Sequence, residues 1–331
     1  MCASALAAVL SVVGGILSVP AASAQGSVAE AAPAFYQPPA ELPAGAGALM
    51  RTEAFPLAGA IPPIPGAEVL TDGAGPFSTD AQRIMYTSVG SRNQPVAVTG
   101  TYLQPRTPWT GPGTRPLAVL APGTQGQGDH CAPSKTFQSP VSVRTEPLGV
   151  GFGYEILYTY ALLARGFAVA VTDYEGLGTP GIHAYLNDSG RAMMAATSDQ
   201  CIVETGVQFF TPGTESYTLS GRSVGDVLRG DPALMQALER QRIGRLKPST
   251  PVQILSPLND DVVPGPQSQQ LGRDWCAQGV AVDMVIDPMP PLAPGLTLNH
   301  AVPLITNLAG TTQYLVDRIN DRPAPVNCGT F

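Results

Sequence analysis

Residues 251–264, PVQILSPLNDDVVP, decide the fold of this chain. The first part, residues 252–255 (VQIL), is a short and mostly apolar run, which we predict to be a buried strand of a sheet. Two carboxylates, Asp260 and Asp261, follow it directly. Because ligands of open α/β sheets bind beyond the carboxyl ends of the strands, these acids occupy a position where a functional site is expected.

Strands and helices alternate on both sides of this stretch. After it we predict a helix, a strand and a helix at 267–278, 280–286 and 303–319. Before it we predict strands at 83–88, 95–103, 117–120 and 167–172, with a helix at 153–165 that ends at Gly166. Continuous apolar strands alternating with helices predict an α/β fold, with a mostly parallel sheet covered by helices.

A histidine follows the next strand along the chain. His300, in TLNHAVP, immediately precedes the last predicted helix. An acid after one strand and a histidine after the next form the second half of a nucleophile–acid–histidine triad, in which Asp260 would hold the tautomer of the His300 base. The alternative is structural: residues 259–261 are a polar turn and His300 is a residue of a helix N-terminus.

The first 24 residues predict an exported protein. An apolar run ends in Ala22-Ser23-Ala24, a small-x-small cleavage site, although no Lys or Arg precedes the run. The alternative is a buried N-terminal helix. We expect a secreted mature protein that begins near Gln25. Cys2 leaves with the signal peptide, and the even number of remaining cysteines suggests two disulfides.

The overall composition excludes several classes of protein. The chain has 331 residues, of which 44% are hydrophobic and 13% charged, so it has enough apolar residues for a buried core. With a net charge of −7 we expect no basic cluster and no nucleic-acid partner. No CxxC or HExxH motif occurs, so no metal or cofactor is expected. No other apolar stretch is long enough for a membrane span, so we expect no integral membrane protein.

Motifs along most of the mature chain resemble the secretory lipases of the yeast lipase A type, a family with the α/β-hydrolase fold. The most specific are TQGQGDHCAPS at 124–134, TDYEGLGTPG at 172–181 and NDDVVP at 259–264. The resemblance implies that Asp260 is the triad acid, His300 the base and Gln125 a contributor to the oxyanion hole. It also implies that the cysteines pair as Cys131–Cys201 and Cys276–Cys328.

One part of the family pattern is missing. The chain passes from GTPGIHAY to LNDSGRAMM, with the junction near Tyr185 and Leu186. The missing part would hold central strands and the nucleophile elbow, on the order of 60 residues for two βα units. The resemblance therefore implies an incomplete α/β-hydrolase fold, in which residues 186–250 are the remnant of a small helical cap.

Ser223 is the remaining candidate nucleophile. It lies in Gly221-Arg222-Ser223-Val224-Gly225, which fits the GxSxG pattern, and it precedes Asp260 and His300 in the required order. The preceding residues, TPGTESYTLS, do not read as an interior strand. The alternative is that Ser223 is the N-cap of a helix.

The sequence thus predicts a signal peptide (1–24) and an irregular proline-rich segment (25–80). The two parts of a hydrolase core (81–185 and 251–331) would flank the cap. The resemblance implies a secreted Ser-His-Asp hydrolase of carboxylic esters such as triacylglycerols, acting at a lipid–water interface without a cofactor. The alternatives are a non-catalytic lipid-binding relic and an incomplete gene product.

Overall fold

The computed structural model describes residues 34–57, 79–90, 93–137, 141–145, 148–153, 155–174, 182–209, 213–292 and 297–331. The predicted signal peptide lies outside these residues. The chain forms two compact units. The first consists of Met1–Gly178 and Met193–Phe209, and the second of Thr179–Ala192 and Phe210–Phe331.

A five-stranded mixed sheet forms the centre of the first unit. Its strands are β1 (Leu49–Ala54), β2 (Thr79–Val89), β3 (Pro95–Pro105), β4 (Leu117–Leu120) and β7 (Ala168–Thr172), and β5 (Val141–Thr145) and β6 (Leu148–Phe152) form a separate antiparallel pair. The order across the main sheet is β1-β2-β3-β7-β4. Its pairings are antiparallel except for β4 with β7.

Helix α2 covers this sheet. The helices of the first unit are α1 (Pro133–Thr136), α2 (Glu155–Ala164) and α4 (Ile202–Phe209), whereas α3 (Asp188–Thr197) begins in the second unit and ends in the first. Leu157, Ala161 and Leu162 of α2 are buried, and the helix packs on β3, β4 and β7. It ends as predicted at Gly166, which has a φ of 85° that suits glycine.

The second unit contains a parallel βαβ arrangement. Its strands are β8 (Val252–Pro257) and β9 (Val282–Asp287), and its helices are α5 (Val224–Gly230), α6 (Pro232–Gln241), α7 (Gly265–Ala277), α8 (Leu298–Thr306) and α9 (Leu308–Ile319). Helix α7 connects the two strands and packs on both of them. Val282 and Met284 of β9 are buried beneath the helices.

The predicted α/β class is confirmed, but the strands are less parallel than we predicted. Among the described residues, parallel pairing is confined to β4–β7 and β8–β9. Residues 182–209 and 213–251 contain helices but no strand. Interior strands of such folds are the parallel ones, and this is the region from which the resemblance implied that central strands are missing; that loss stays a prediction.

Strand β4 is an outer strand of the sheet with exposed apolar side chains. It is the last strand in the order of its sheet, and the side chains of Leu117 and Val119 are 56% and 67% exposed. Apolar side chains of a short continuous strand are ordinarily covered in an α/β fold. The sequence of β4 is thus typical of an interior strand, whereas the described sheet places it at an edge.

Two predictions for element positions were wrong. Strand β1 lies within residues 25–80, which we predicted to be irregular; its sequence LMRTEA has little apolar alternation, and backbone pairing with β2 holds it extended. The predicted helix 303–319 is two helices, α8 and α9. Pro303 suggested a helix start, but it lies inside α8, where it removes the backbone hydrogen bond to the carbonyl of Asn299.

Both disulfides have the pairing that the resemblance implied. Cys131–Cys201 closes a loop within the first unit and Cys276–Cys328 closes one within the second. Each bridge thus stabilises one unit.

Candidate active site

The loop after β8 holds the carboxylate of Asp260 in place. Oδ1 accepts hydrogen bonds from the backbone N–H groups of Val262 and Val263, both at 2.8 Å. This arrangement suits a turn, because an aspartate side chain can hydrogen-bond backbone groups two and three residues later. The side chain is 4% exposed. Asp260 is therefore a fixed acceptor at the carboxyl end of a parallel strand.

The ring of His300 binds this carboxylate. Its Nδ1 lies 2.9 Å from Oδ2 and 3.2 Å from Oδ1 of Asp260. Because an ionised carboxylate can only accept a hydrogen bond, this contact favours the His300 tautomer that carries its proton on Nδ1. Nε2 has no hydrogen-bond partner among the described residues, and the side chain is 40% exposed. The geometry is that of a general base whose free nitrogen faces outward.

The chain enters α8 through a turn that Asp261 holds. Thr297, the residue before the helix, has a φ of 58°, in the left-handed region. Its backbone N–H donates to Oδ2 of Asp261 at 2.9 Å. Asp261 thus joins the loop after β8 to the start of α8 through the backbone N–H of Thr297. This contact gives Asp261 a local structural role.

Asn299, next to His300, was not identified from the sequence. It is 1% exposed; its Oδ1 accepts from the N–H of Leu292, and its Nδ2 donates to the carbonyl of Pro290 at 2.9 Å. Leaving such buried polar groups unpaired is costly, so Asn299 fixes the start of α8 on the preceding loop. An asparagine one residue from the histidine gave no sequence signal, because its partners lie in an irregular loop.

The contact with His300 changes the acidity of Asp260. Burial raises the pKa of Asp260. Three effects together lower it by more: the hydrogen bond to His300, the hydrogen bonds from the N–H groups of Val262 and Val263, and the attraction of a charged His300. The net effect is a pKa below the usual aspartate value. Folding therefore stabilises the ionised form of Asp260 relative to the unfolded chain.

We expect this contact to make folding sensitive to acid. Because the pKa of Asp260 is lowered in the folded state, its stabilisation is fully present above the unfolded value of about 3.9 and is lost as the pH falls through the folded value. Urea denaturation at a series of acidic pH values measures the loss. The free energy of unfolding of Asp260→Asn should fall less steeply with acid than that of the unaltered protein. Asp188→Asn, at an exposed carboxylate, is the control, and equal slopes for all three proteins would contradict the prediction.

Ser223 is the N-cap of α5. Its Oγ accepts from the N–H of Asp226 at 3.1 Å and donates to Oδ2 of the same residue at 2.8 Å. The preceding element is a 3-10 helix, Thr214–Tyr217, not a strand. The structure thus contains the cap that was the alternative interpretation, and the hydroxyl makes no hydrogen bond to His300 among the described residues. Its role as a nucleophile stays a prediction.

Replacing this cap should reduce stability by a modest amount. We expect Ser223→Ala to lower the free energy of unfolding by about 1 kcal/mol, because the N–H of Asp226 loses its acceptor. Ser223→Asn keeps a capping oxygen and should lose only a few tenths of a kcal/mol. Chemical denaturation measures both changes, with the exposed Ser249→Ala as control. Equal stability of the Ala and Asn variants would show that the cap contributes nothing.

Gln125 belongs to a tightly held loop of the first unit. Its Nε2 donates to Oε1 of Glu155, a buried residue at the start of α2, at 2.7 Å. Its carbonyl accepts from the N–H of Ile202 at 2.9 Å, beside the Cys131–Cys201 disulfide. Glu155 therefore orients the Gln125 amide, a contact that the sequence did not reveal. The oxyanion-hole role of Gln125 stays a prediction.

One cluster of ligand-type side chains lies near this loop. His130, Cys131 and Cys201 bring one nitrogen and two sulfurs within 4.8 Å of one another. Both sulfurs are used by the disulfide, so they are not thiolate ligands. The ring of His130 instead lies near a carboxylate, with Nε2 3.6 Å from Oε1 of Glu204. The cluster is thus a disulfide with an adjacent histidine–glutamate contact.

Comparison with known proteins places these features in a family and a fold. The model of the secretory lipase family matches residues 179–327, which include Asp260 and His300. No curated protein sequence matches the chain. None of the described helices has the length and apolar character needed to cross a bilayer.

Two solved structures share the fold. Candida antarctica lipase A in its closed state is 12% identical, with a TM-score of 0.63 over 86% of this chain and 85% of that chain. The rice cell wall degrading esterase LipA from Xanthomonas oryzae is 12% identical, with a TM-score of 0.58 over 83% of this chain and 99% of that chain. Residues 179–327 thus match the model of the secretory lipase family, and the chain shares the fold of these two enzymes.

Proposed function

We propose that this chain is an exported protein of the secretory lipase type that retains the general-base half of the Ser-His-Asp triad of an ester hydrolase. The observation that carries the proposal is the pair formed by His300 Nδ1 and Asp260 Oδ2, 2.9 Å apart after β8. A histidine oriented by a buried carboxylate accepts a proton from an attacking hydroxyl group at Nε2 and returns it to the leaving group. The substrates are carboxylic esters of apolar acids.

We further propose that the serine which this pair once activated is absent from the chain. Two observations support this: the region between β7 and β8 has no described strand that could carry a nucleophile elbow, and the Ser223 hydroxyl is bound to Asp226. Export is supported by the apolar leader and the two disulfides, since such bridges persist in oxidising compartments. The names of the structural relatives, a lipase and an esterase, support the ester class.

A small alcohol can test the base without the missing serine. In the proposed step, His300 Nε2 takes the proton of methanol, whose oxygen attacks the ester carbonyl of p-nitrophenyl butyrate. Collapse of the tetrahedral intermediate then releases p-nitrophenol and leaves methyl butyrate. We expect methanol to increase p-nitrophenol release and methyl butyrate to form. Gas chromatography and absorbance measure the two products.

Matched variants make this experiment decisive. The methanol-dependent rate should disappear in His300→Ala and fall strongly in Asp260→Asn, which favours the wrong tautomer. His183→Ala, at an exposed histidine outside the pair, should leave it unchanged. Equal methanol-dependent rates in His300→Ala and the unaltered protein would overturn the proposed role of the pair.

A further inference from the structure

A short segment of the second unit departs from the expected absence of basic clusters. Residues 240–247, RQRIGRLK, hold Arg240, Arg242, Arg245 and Lys247 and no acid, in a chain with a net charge of −7. We call this segment the basic-apolar loop. The negative net charge of the chain does not reveal this segment, and neutral residues separate its cations.

Two large aliphatic side chains of this loop face solvent. Ile243 is 69% exposed and Leu246 is 86% exposed, the highest value for a large apolar side chain among the described residues. Single exposed apolar residues are ordinary on protein surfaces. Two of them interleaved with cations form a more specific pattern, because the same arrangement suits the boundary between lipid headgroups and acyl chains.

Helix α7 holds the backbone of the loop. Nε2 of Gln278 donates to the carbonyl of Gly244 at 2.8 Å, and Nε1 of Trp275 donates to the carbonyl of Leu246 at 3.1 Å. Gly244 has a φ of 96°, which favours glycine. Since the carbonyls on both sides of Arg245 are bound, the loop presents Leu246 outward in a fixed conformation.

Most of the cations in the loop are available to an anionic partner. Arg242 forms ion pairs with Glu239 and Asp274, at 3.3 Å and 2.7 Å. Arg240, Arg245 and Lys247 form no ion pair with a carboxylate among the described residues. The guanidinium of Arg245 instead donates to the carbonyl of Glu239 at 2.9 Å. The loop therefore carries an uncompensated positive charge beside its exposed apolar side chains.

We propose that the basic-apolar loop binds an anionic lipid surface. The cations would interact with acidic headgroups while Ile243 and Leu246 enter the acyl boundary. The charge of the loop is complementary to such a surface, whereas the rest of the acidic chain is repelled, so binding fixes the orientation of the second unit. The loop contacts the C-terminal end of α7, whereas the Asp260 loop precedes its N-terminal end, about 20 Å away along a 13-residue helix. The inference therefore does not depend on catalysis.

Vesicle binding tests this proposal with the full mature chain. Co-sedimentation should show binding to phosphatidylglycerol vesicles, little binding to phosphatidylcholine vesicles, and weaker binding at high salt. Arg245→Gln/Lys247→Gln should weaken binding roughly thirtyfold, since each basic residue near an anionic surface contributes a factor of about five. Ile243→Ser/Leu246→Ser should weaken it roughly tenfold through lost apolar burial.

Matched variants elsewhere in the second unit are the controls. Arg191→Gln/Arg222→Gln changes the net charge equally, and Leu219→Ser/Val326→Ser removes two other exposed apolar side chains. Both should bind phosphatidylglycerol vesicles as the unaltered protein does. Two results would overturn the proposal: equal weakening by the control variants, or heparin binding as tight as vesicle binding and unaffected by Ile243→Ser/Leu246→Ser. The second would assign the loop to soluble polyanions.

Discussion

Without added alcohol, the purified protein should turn over p-nitrophenyl butyrate about a million times more slowly than a serine esterase. A fluorophosphonate probe, which reacts with activated serine hydroxyls, should leave it unlabelled. The reason is the proposed absence of a serine that the His300–Asp260 pair could activate, while the Ser223 hydroxyl donates a hydrogen bond to Asp226. Catalysis that survives loss of the nucleophile comes from substrate binding and stabilisation of the oxyanion.

The members of a triad act as one unit, so removing a second member should then cost little. We expect His300→Ala to remove only the part of the slow residual rate in which the pair activates water, a loss of about tenfold or less against the million-fold deficit. Ser223→Asn, which keeps the helix cap, should leave the residual rate unchanged. If the probe labels the protein and Ser223→Asn abolishes both labelling and hydrolysis, Ser223 is the nucleophile and our assignment of it as a cap alone is wrong.

Removing the Cys276–Cys328 disulfide should produce a large change in the stability of the second unit. The bridge closes a loop with a sequence separation of 52 residues, for which the chain-entropy model gives about 4 kcal/mol. We expect Cys276→Ser/Cys328→Ser to lower the free energy of unfolding of the second unit by about that amount, a large share of the usual 5–15 kcal/mol of a domain. The C-terminal residues would no longer be fixed to α7.

The two tryptophans allow each unit to be followed by itself. Trp109 lies in the first unit and Trp275 in the second, so fluorescence of a Trp109→Phe background reports on the second unit alone. In that background, guanidinium denaturation should show the loss for Cys276→Ser/Cys328→Ser. Cys131→Ser/Cys201→Ser, which opens the bridge of the other unit, should leave the Trp275 transition in place. A Trp275 transition that is unaffected by loss of its own bridge would refute the prediction.

The sequence predicted those features whose signals are local. The mostly apolar run at 252–255 located β8 to within two residues at one end, because Val252, Ile254 and Leu255 favour a strand over a loop. Gly166 marked the end of α2 because only glycine readily adopts its positive φ. The spacing of the acid and the histidine after consecutive strands indicated the Asp260–His300 pair, since neighbouring parallel strands end at the same edge.

The features that were missed depend on distant partners. Strand β1 is extended because β2 pairs with it, not because LMRTEA favours a strand. Asn299 has a role only because the backbone at residues 290 and 292 lies beside it. The charges of the basic-apolar loop are visible in the sequence, but its fixed outward conformation depends on Trp275 of α7 and on Gln278, which follows that helix. In each case the decisive contact is tertiary.

The connectivity of the bridges has a consequence for biogenesis. Four cysteines allow three pairings, and the one found joins Cys131 to Cys201 and Cys276 to Cys328, so that each cysteine bonds its nearest neighbour in chain order. Because a polypeptide emerges with its N-terminus first, the earlier pair can oxidise before the later cysteines are synthesised. In an oxidising compartment, this order of emergence therefore favours the observed pairing without a shuffling step.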